Sequence, residues 1–318
     1  MNLIITVDVE ADNQWSEEKI LTVENLKFLP RFQALCEKYG FVPTYLITYE
    51  ITQDEQAAQM LSEWRKSGKA EIGAHLHPWT MPCYNVKDKP FPCELSDEEL
   101  ENQIKILTGA IEEKFGAKPV SYRAGRWGFD HRQAEILAKF GYAADCSVTP
   151  KISWKKTAGL AGGKGGPDFR FHKIRPYRVG GNLLEVPMTI LFTGIIKSEK
   201  SVFAKFFLGM PDCFLKKVLN KIFFRQKWLR IFPESESRDW IGIYKSAESN
   251  ELPCLEFMIH SSELMPGGSP YCRDAKSVEF VYKQLELMFE LFKKKNVVGA
   301  TLREFAENYK KYKNEFSE

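Results

Sequence analysis

Histidine is scarce in this chain. Five occur among 318 residues, and two of them, His75 and His77, stand two positions apart in Glu71-Ile-Gly-Ala-His-Leu-His-Pro-Trp79. Cysteine is sparse and unpatterned: the seven form no CxxC, which argues against a zinc knuckle or a dithiol redox motif. No stretch of about 18 apolar residues occurs, so no segment is expected to span a bilayer. The opening Met-Asn-Leu-Ile-Ile-Thr-Val-Asp lacks a basic stretch ahead of a long apolar core and reads as a strand, not a signal peptide. An excess of one charge is missing too. The net charge of +3 is too small to argue for nucleic acid. The expected location is the cytoplasm, with reduced thiols.

What is present is an ordinary globular composition, 44% hydrophobic and 27% charged, with length enough for a full core. Strand and helix signals alternate. Strands are expected near residues 3–9, 42–49, 70–77, 119–123, 142–148, 183–190, 255–260 and 297–300. Helices are expected over 26–39, 53–66, 96–115, 131–140, 275–295 and 302–312, several of them closed by glycine. Ser96 and Glu99 form a capping box. Such alternation predicts a parallel sheet, and seven or eight units predict a distorted (β/α)7–8 TIM-like barrel with its chemistry at the C-terminal strand ends. The whole of 1–318 is expected to form one barrel domain, interrupted by two segments. Residues 155–166 read as a glycine-rich surface loop. Residues 196–240 form a basic aromatic insertion: over 197–230, nine Lys or Arg stand against Glu199 and Asp212, interleaved with seven aromatic residues.

The polar residues at the expected strand ends carry the chemistry. Asp8 and Glu10 alternate in Thr6-Val-Asp-Val-Glu-Ala-Asp12, so they share a face, with Asp12 as a rival. His75 and His77 end the third strand and Arg123 the fourth. Asp145 lies in the fifth, and His260 ends Glu256-Phe-Met-Ile-His260. A carboxylate and two imidazoles with an open position form a common hydrolytic metal site. Glu263 fits either a pocket residue or a helix cap.

These segments resemble, in order, the five motifs of the polysaccharide deacetylases (NodB-like, carbohydrate esterase family 4), over roughly residues 2–264 without the insertion. Thr6-Val-Asp-Val-Glu10 resembles the first motif, which makes Asp8 the general base. Glu71-Ile-Gly-Ala-His75 resembles the start of the metal-histidine motif. Arg123-Ala-Gly-Arg-Trp-Gly128 resembles the motif whose arginine orients the base, and Asp145 the acid that tunes the catalytic histidine. Met258-Ile-His260 matches the closing motif, which makes His260 the general acid. The chain departs from the family at three places. Val9 stands where a second aspartate is usual, so Glu10 is the expected replacement ligand. Trp79 stands where the second histidine is usual, so His77 takes that part. Gly125 stands where proline is usual.

The resemblance implies a divalent metal, zinc favoured, on Glu10, His75 and His77, and removal of an N-acetyl or other acyl group from a sugar in bacterial surface polysaccharide assembly. A backbone N–H near Arg126 would help hold the oxyanion, and Trp79 and Trp127 would stack on sugar rings. Two other functions stay open: an amidase on a small non-sugar amide or cyclic imide, and a metal-free barrel that binds carbohydrate without turnover. The insertion has three readings: helices packed on the barrel, a helix on an anionic membrane surface, and a nucleic-acid contact, the last without a supporting motif. The expected partner is a carbohydrate, lipid-linked if 200–230 touches the inner membrane surface, and not a nucleic acid.

Overall fold

The computed structural model describes residues 1–12, 22–82, 89–159 and 165–315. The centre of the glycine-rich segment, 160–164, lies outside the described residues. The first half runs β1 (Asn2–Val9), α1 (Leu29–Lys38), β2 (Thr44–Ile47), α2 (Tyr49–Thr52), α3 (Glu55–Lys66), β3 (Glu71–Leu76), α4 (Asp97–Phe115), β4 (Ser121–Ala124), α5 (His131–Lys139) and β5 (Ala144–Asp145). The second half adds β6 (Tyr177–Val179), β7 (Leu183–Glu185), β8 (Ile190–Phe192), α6 (Val202–Gly209), α7 (Phe214–Leu219), β9 (Gln226–Trp228), α8 (Ser237–Ser249), β10 (Cys254–His260), α9 (Ala275–Lys294), β11 (Val298–Gly299) and α10 (Leu302–Glu315).

Local chemistry sets several boundaries. Pro30 sits at the second position of α1, and the turn before it tightens into a 3-10 helix over Glu24–Phe28. The helix expected over 53–66 starts two residues later, after Asp54, whose carboxylate accepts from Ala57 N at 2.8 Å and caps α3. Ser96 and Glu99 make the reciprocal cap on α4, and Gly116 ends it at φ +67°.

One sheet runs in the order β10-β1-β2-β3-β4-β5-β7-β6, with β11 beside β1. The seven strands from β10 to β7 are mutually parallel, and β6 is an antiparallel edge. This is a distorted (β/α) barrel that its ladder does not close. The gap between β7 and β10 is bridged by chain instead: Val186 N donates to Asp145 O at 2.7 Å, Met188 N to Val148 O at 2.9 Å, and Thr189 N to Glu256 O at 3.3 Å. The strand expected over 183–190 breaks there because Pro187 has no N–H to give a ladder. The parallel strands are buried on both faces, as β1 and β3 are along their whole lengths.

The basic segment leaves the barrel after β8, forms α6, α7 and a π turn over Asn220–Phe224, and returns through β9, which pairs antiparallel with β8. Ala204, Phe207 and Leu208 of α6 pack with Phe192 and Phe224 in a small core of their own.

Candidate active site

Parallel register brings the strand-end residues together. Asp8 on β1 lies opposite His260 on β10, and His75 on β3 lies opposite Arg123 on β4. Asp8, Glu10, His75, His77 and Arg123 are all buried. Burial of that much ionisable surface is costly unless the groups satisfy one another or a ligand.

Glu10, His75 and His77 offer donor atoms that all lie within 4.8 Å of one another. His77 Nε2 is 2.7 Å from Glu10 Oε2, and His75 Nε2 is 3.7 Å from both Glu10 Oε2 and Asp8 Oδ2. His75 Nδ1 lies 3.0 Å from Arg123 O. A carbonyl only accepts, so Nδ1 carries a proton toward it, and Nε2 is the ring nitrogen turned to the acids. That is the backing a metal-bound imidazole has. Burial would raise the Glu10 carboxyl, but hydrogen bonds from His75 and His77 hold it far below its ordinary range. Burial and then the charge of His75 push His77 down, while for His75 the attraction of Asp8 and Glu10 overcomes burial and pushes it up. An ionised carboxylate beside an imidazole inclined to neutrality suits a divalent cation. Asp12, the rival ligand, is occupied elsewhere: it accepts from Thr22 Oγ1 at 2.5 Å and from Glu24 N at 3.0 Å, at the start of the first 3-10 turn.

The glycine at position 125 has a local cause. A Cβ there would stand 2.4 Å from His77 Nδ1 and 2.5 Å from Leu76 O. The ring of His77 occupies the space a proline would need, so the shifted histidine and the glycine go together. Trp79 packs on the same ring, with centroids 4.2 Å apart.

Arg123 makes four hydrogen bonds. Its Nη1 donates to Asp8 Oδ1 at 2.5 Å, and its Nη2 to Glu256 Oε1 and Thr6 Oγ1, each at 2.7 Å. Its Nε donates to Cys146 O at 3.2 Å. Burial would raise Asp8, but Arg123, with His75 and His260, holds it below the usual carboxylate range. Glu256 is a site residue that the motif reading missed. Its signal was there: it sits four residues before His260 on the same strand, hence on the same face. Trp127 needs a correction. Its ring backs Arg123, 5.1 Å from Cζ, and is only 8% exposed, so it is a wall and not an open platform for a sugar. Arg126 lies with its guanidinium 4.7 Å over the Phe91 ring, and its backbone, like that of Trp127, is left-handed (φ 53° and 61°). Two adjacent non-glycine residues held there mark a locally strained turn beside the site.

The partner of His260 is also corrected. Asp145 points elsewhere, accepting from Ser147 N at 3.0 Å and Ser147 Oγ at 2.6 Å and sharing a hydrogen bond with Glu185. Burial raises both acids, Glu185 the more, since the neighbouring Asp145 raises it further. His260 instead sets Nδ1 2.7 Å from Glu263 Oε1, in the 3-10 turn that follows β10. Arg230, from the end of the basic segment, donates to the same carboxylate. Burial would raise Glu263, but Arg230 and His260 hold it below its ordinary value. With Nδ1 so engaged, His260 Nε2 faces the pocket, 3.9 Å from Asp8 Oδ2 and 4.0 Å from Glu10 Oε1. Arg230 reads in the sequence only as part of a basic run, and nothing there pairs it with Glu263.

Two further residues pin the mouth. Ser261 Oγ accepts from Glu10 N at 3.3 Å, and Asn25 Nδ2 donates to Glu10 O at 2.8 Å and to Ser261 Oγ at 3.1 Å. The backbone of Glu10 is thereby tied to the end of β10.

No family model matches the chain, and no curated protein matches its sequence. Solved structures match in fold. A Mycobacterium smegmatis protein assigned as a polysaccharide deacetylase is 14% identical, aligns over 98% of this chain and 91% of its own, and gives a TM-score of 0.59. A GH57 branching enzyme from Thermococcus kodakaraensis, also 14% identical, gives 0.54 over 97% of this chain and 71% of its own. Puue allantoinase, 13% identical, gives 0.51 over 97% and 89%.

Proposed function

We propose that this chain is a metal-dependent amide hydrolase that removes an acyl group, N-acetyl first, from an amino sugar of a polysaccharide precursor. The observation that carries the reading is the convergence on one carboxylate: His75 and His260, from strands far apart in sequence, both bring Nε2 within 3.9 Å of Asp8 Oδ2. The fold shared with an assigned polysaccharide deacetylase supports it.

Glu10, His75 and His77 would hold a divalent cation, zinc by its preference for nitrogen and carboxylate donors. Polarisation of the acyl carbonyl and a more acidic water are what a bound ion supplies. Asp8 keeps Oδ1 on Arg123 and turns Oδ2 to the pocket, where it takes the proton of the attacking water. Arg123, held by four acceptors, fixes the angle of that base. As the water oxygen bonds to the acyl carbon, the carbon–nitrogen bond breaks, and His260 Nε2 gives a proton to the departing amine. Glu263 holds the Nδ1 edge of the ring so that Nε2 stays aimed at the leaving group.

A second reading, hydrolysis of a small cyclic amide, draws on the enclosure of these groups; the His260 side chain is only 12% exposed. The same residues would serve it, and the fold is one an allantoinase also uses. Acetate release from N-acetylated amino-sugar oligosaccharides, measured beside ring opening of cyclic ureides, separates the two. The proposal expects acetate from the sugars, reduced about 100- to 10,000-fold in Asp8→Asn. An unchanged rate in that variant removes Asp8 as the base. Sugar binding with no release by the metal-loaded chain supports a carbohydrate-binding barrel instead.

A further inference from the structure

Apolar side chains are not spread evenly over the surface. Of the 13 large hydrophobic residues exposed among the described residues, eight lie between Ile195 and Phe223. In α6 the pattern is two-sided. Ala204, Phe207 and Leu208 face the barrel, while Val202, Phe203 and Phe206 face out, with Phe203 72% and Phe206 67% exposed. In α7, Phe-Leu-Lys-Lys-Val-Leu, no residue is buried, and Phe214 is 81% exposed. Only Leu219 at its end packs against the small core, so Phe214 and Leu215 leave an apolar face open to another surface.

The charge around that face is of one sign. Lys200, Lys205, Lys217, Lys221 and Arg225 are exposed among these side chains. The two acids of the segment are already engaged, Glu199 with the buried Lys151 and Asp212 with Lys216 at 3.1 Å. A second copy of the chain would set lysine rim against lysine rim, which disfavours self-association. A nucleic acid would answer the charge but leave Val202, Leu215 and Ile222 uncovered. An anionic bilayer answers both: its acyl region takes the aromatic and aliphatic groups, and its headgroups take the lysines, whose stems lie along the apolar surface.

We propose that the outer faces of α6 and α7 form a docking surface for an anionic lipid membrane. No helix among the described residues is long and apolar enough to cross one, so the contact is peripheral. The surface is tied to the pocket at its far end, where Arg230 holds Glu263 against His260. Docking does not depend on the proposed reaction. That it would present the pocket to a lipid-carried sugar does.

Sedimentation of the full chain with vesicles tests it. One set is phosphatidylcholine alone, and the other contains about one third phosphatidylglycerol. Two variants are compared, the aromatic triple Phe203→Ser, Phe206→Ser, Phe214→Ser and the basic triple Lys200→Gln, Lys205→Gln, Lys217→Gln. The wild type is expected to pellet with the anionic vesicles, less so as salt rises, and each triple to partition at least about tenfold more weakly. The basic triple changes only exposed lysines, so it reads out even where the aromatic triple folds poorly. Wild type that pellets no better with anionic vesicles than without them overturns the proposal, as do variants that partition like the wild type. Loss of a wild-type dimer in the aromatic triple, without vesicle binding by the wild type, assigns the face to a second copy instead.

Discussion

Two buried acids compete for the part of orienting His260, and only Glu263 touches it. Glu263 lies three residues beyond His260, and the 3-10 turn folds it back onto the ring. Asp145 spends its oxygens on Ser147 and Glu185. The exchange yields an ordering. Glu263→Gln is expected to lower kcat about a hundredfold at nearly constant KM. It also leaves the Arg230 charge, whose side chain is 7% exposed, without its anion, at about 3 kcal/mol in a urea titration. Asp145→Asn is expected to lower kcat far less. The reverse order would return the role to Asp145. At this scale the sequence revealed residue types more readily than partners. Asp8, Glu10, His75, His77 and His260 stand out because charged groups and imidazoles at the ends of apolar runs need a reason to be there. Glu256 was readable by alternation. Arg230 was not, because a contact across 33 residues between a basic run and a turn leaves no local periodicity.

Among the elements, the parallel strands were legible because strands covered on both faces are near-continuous apolar runs, and glycines stop the helices between them: Gly40, Gly116 and Gly141 all have positive φ. The bridge over 186–189 and the β8–β9 pair were not, since Pro187 hides the first and the second pairs residues more than thirty apart. The basic segment is anchored by an ion pair of its own. Lys151 is buried, donates to Ile190 O at 2.7 Å, and meets Glu199 ahead of α6. Burial lowers Lys151 more than Glu199 raises it, so its folded value lies below the ordinary 10.5. Between those two values the unfolded chain binds the extra proton, and the stability this group contributes rises with pH. Urea titrations across the alkaline range are therefore expected to show a rise in the wild type relative to Lys151→Met. Glu199→Gln, which strands the lysine, should be less stable than Lys151→Met at neutral pH. Equal stability of the two would mean that the pair anchors nothing.

For the whole molecule, the register of a seven-stranded parallel sheet gathers groups separated by up to 252 residues, as between Asp8 and His260, into one pocket. The barrel class followed from the alternation of elements. The pocket's divergence, a ligand two residues beyond the first acid and histidines two apart, is self-consistent in the structure, because Gly125 makes room for His77 and Asn25 and Ser261 hold Glu10 in place. The central claim is that Glu10, His75 and His77 bind one divalent ion. Zinc titration of the metal-stripped chain, followed by calorimetry and by the unfolding midpoint, tests it most directly. We expect one equivalent bound and about 2.7 kcal/mol of added stability at about a hundred times Kd, both lost in His75→Ala and in Glu10→Ala. A chain that binds no zinc, or that binds it equally well in those variants, would contradict the account.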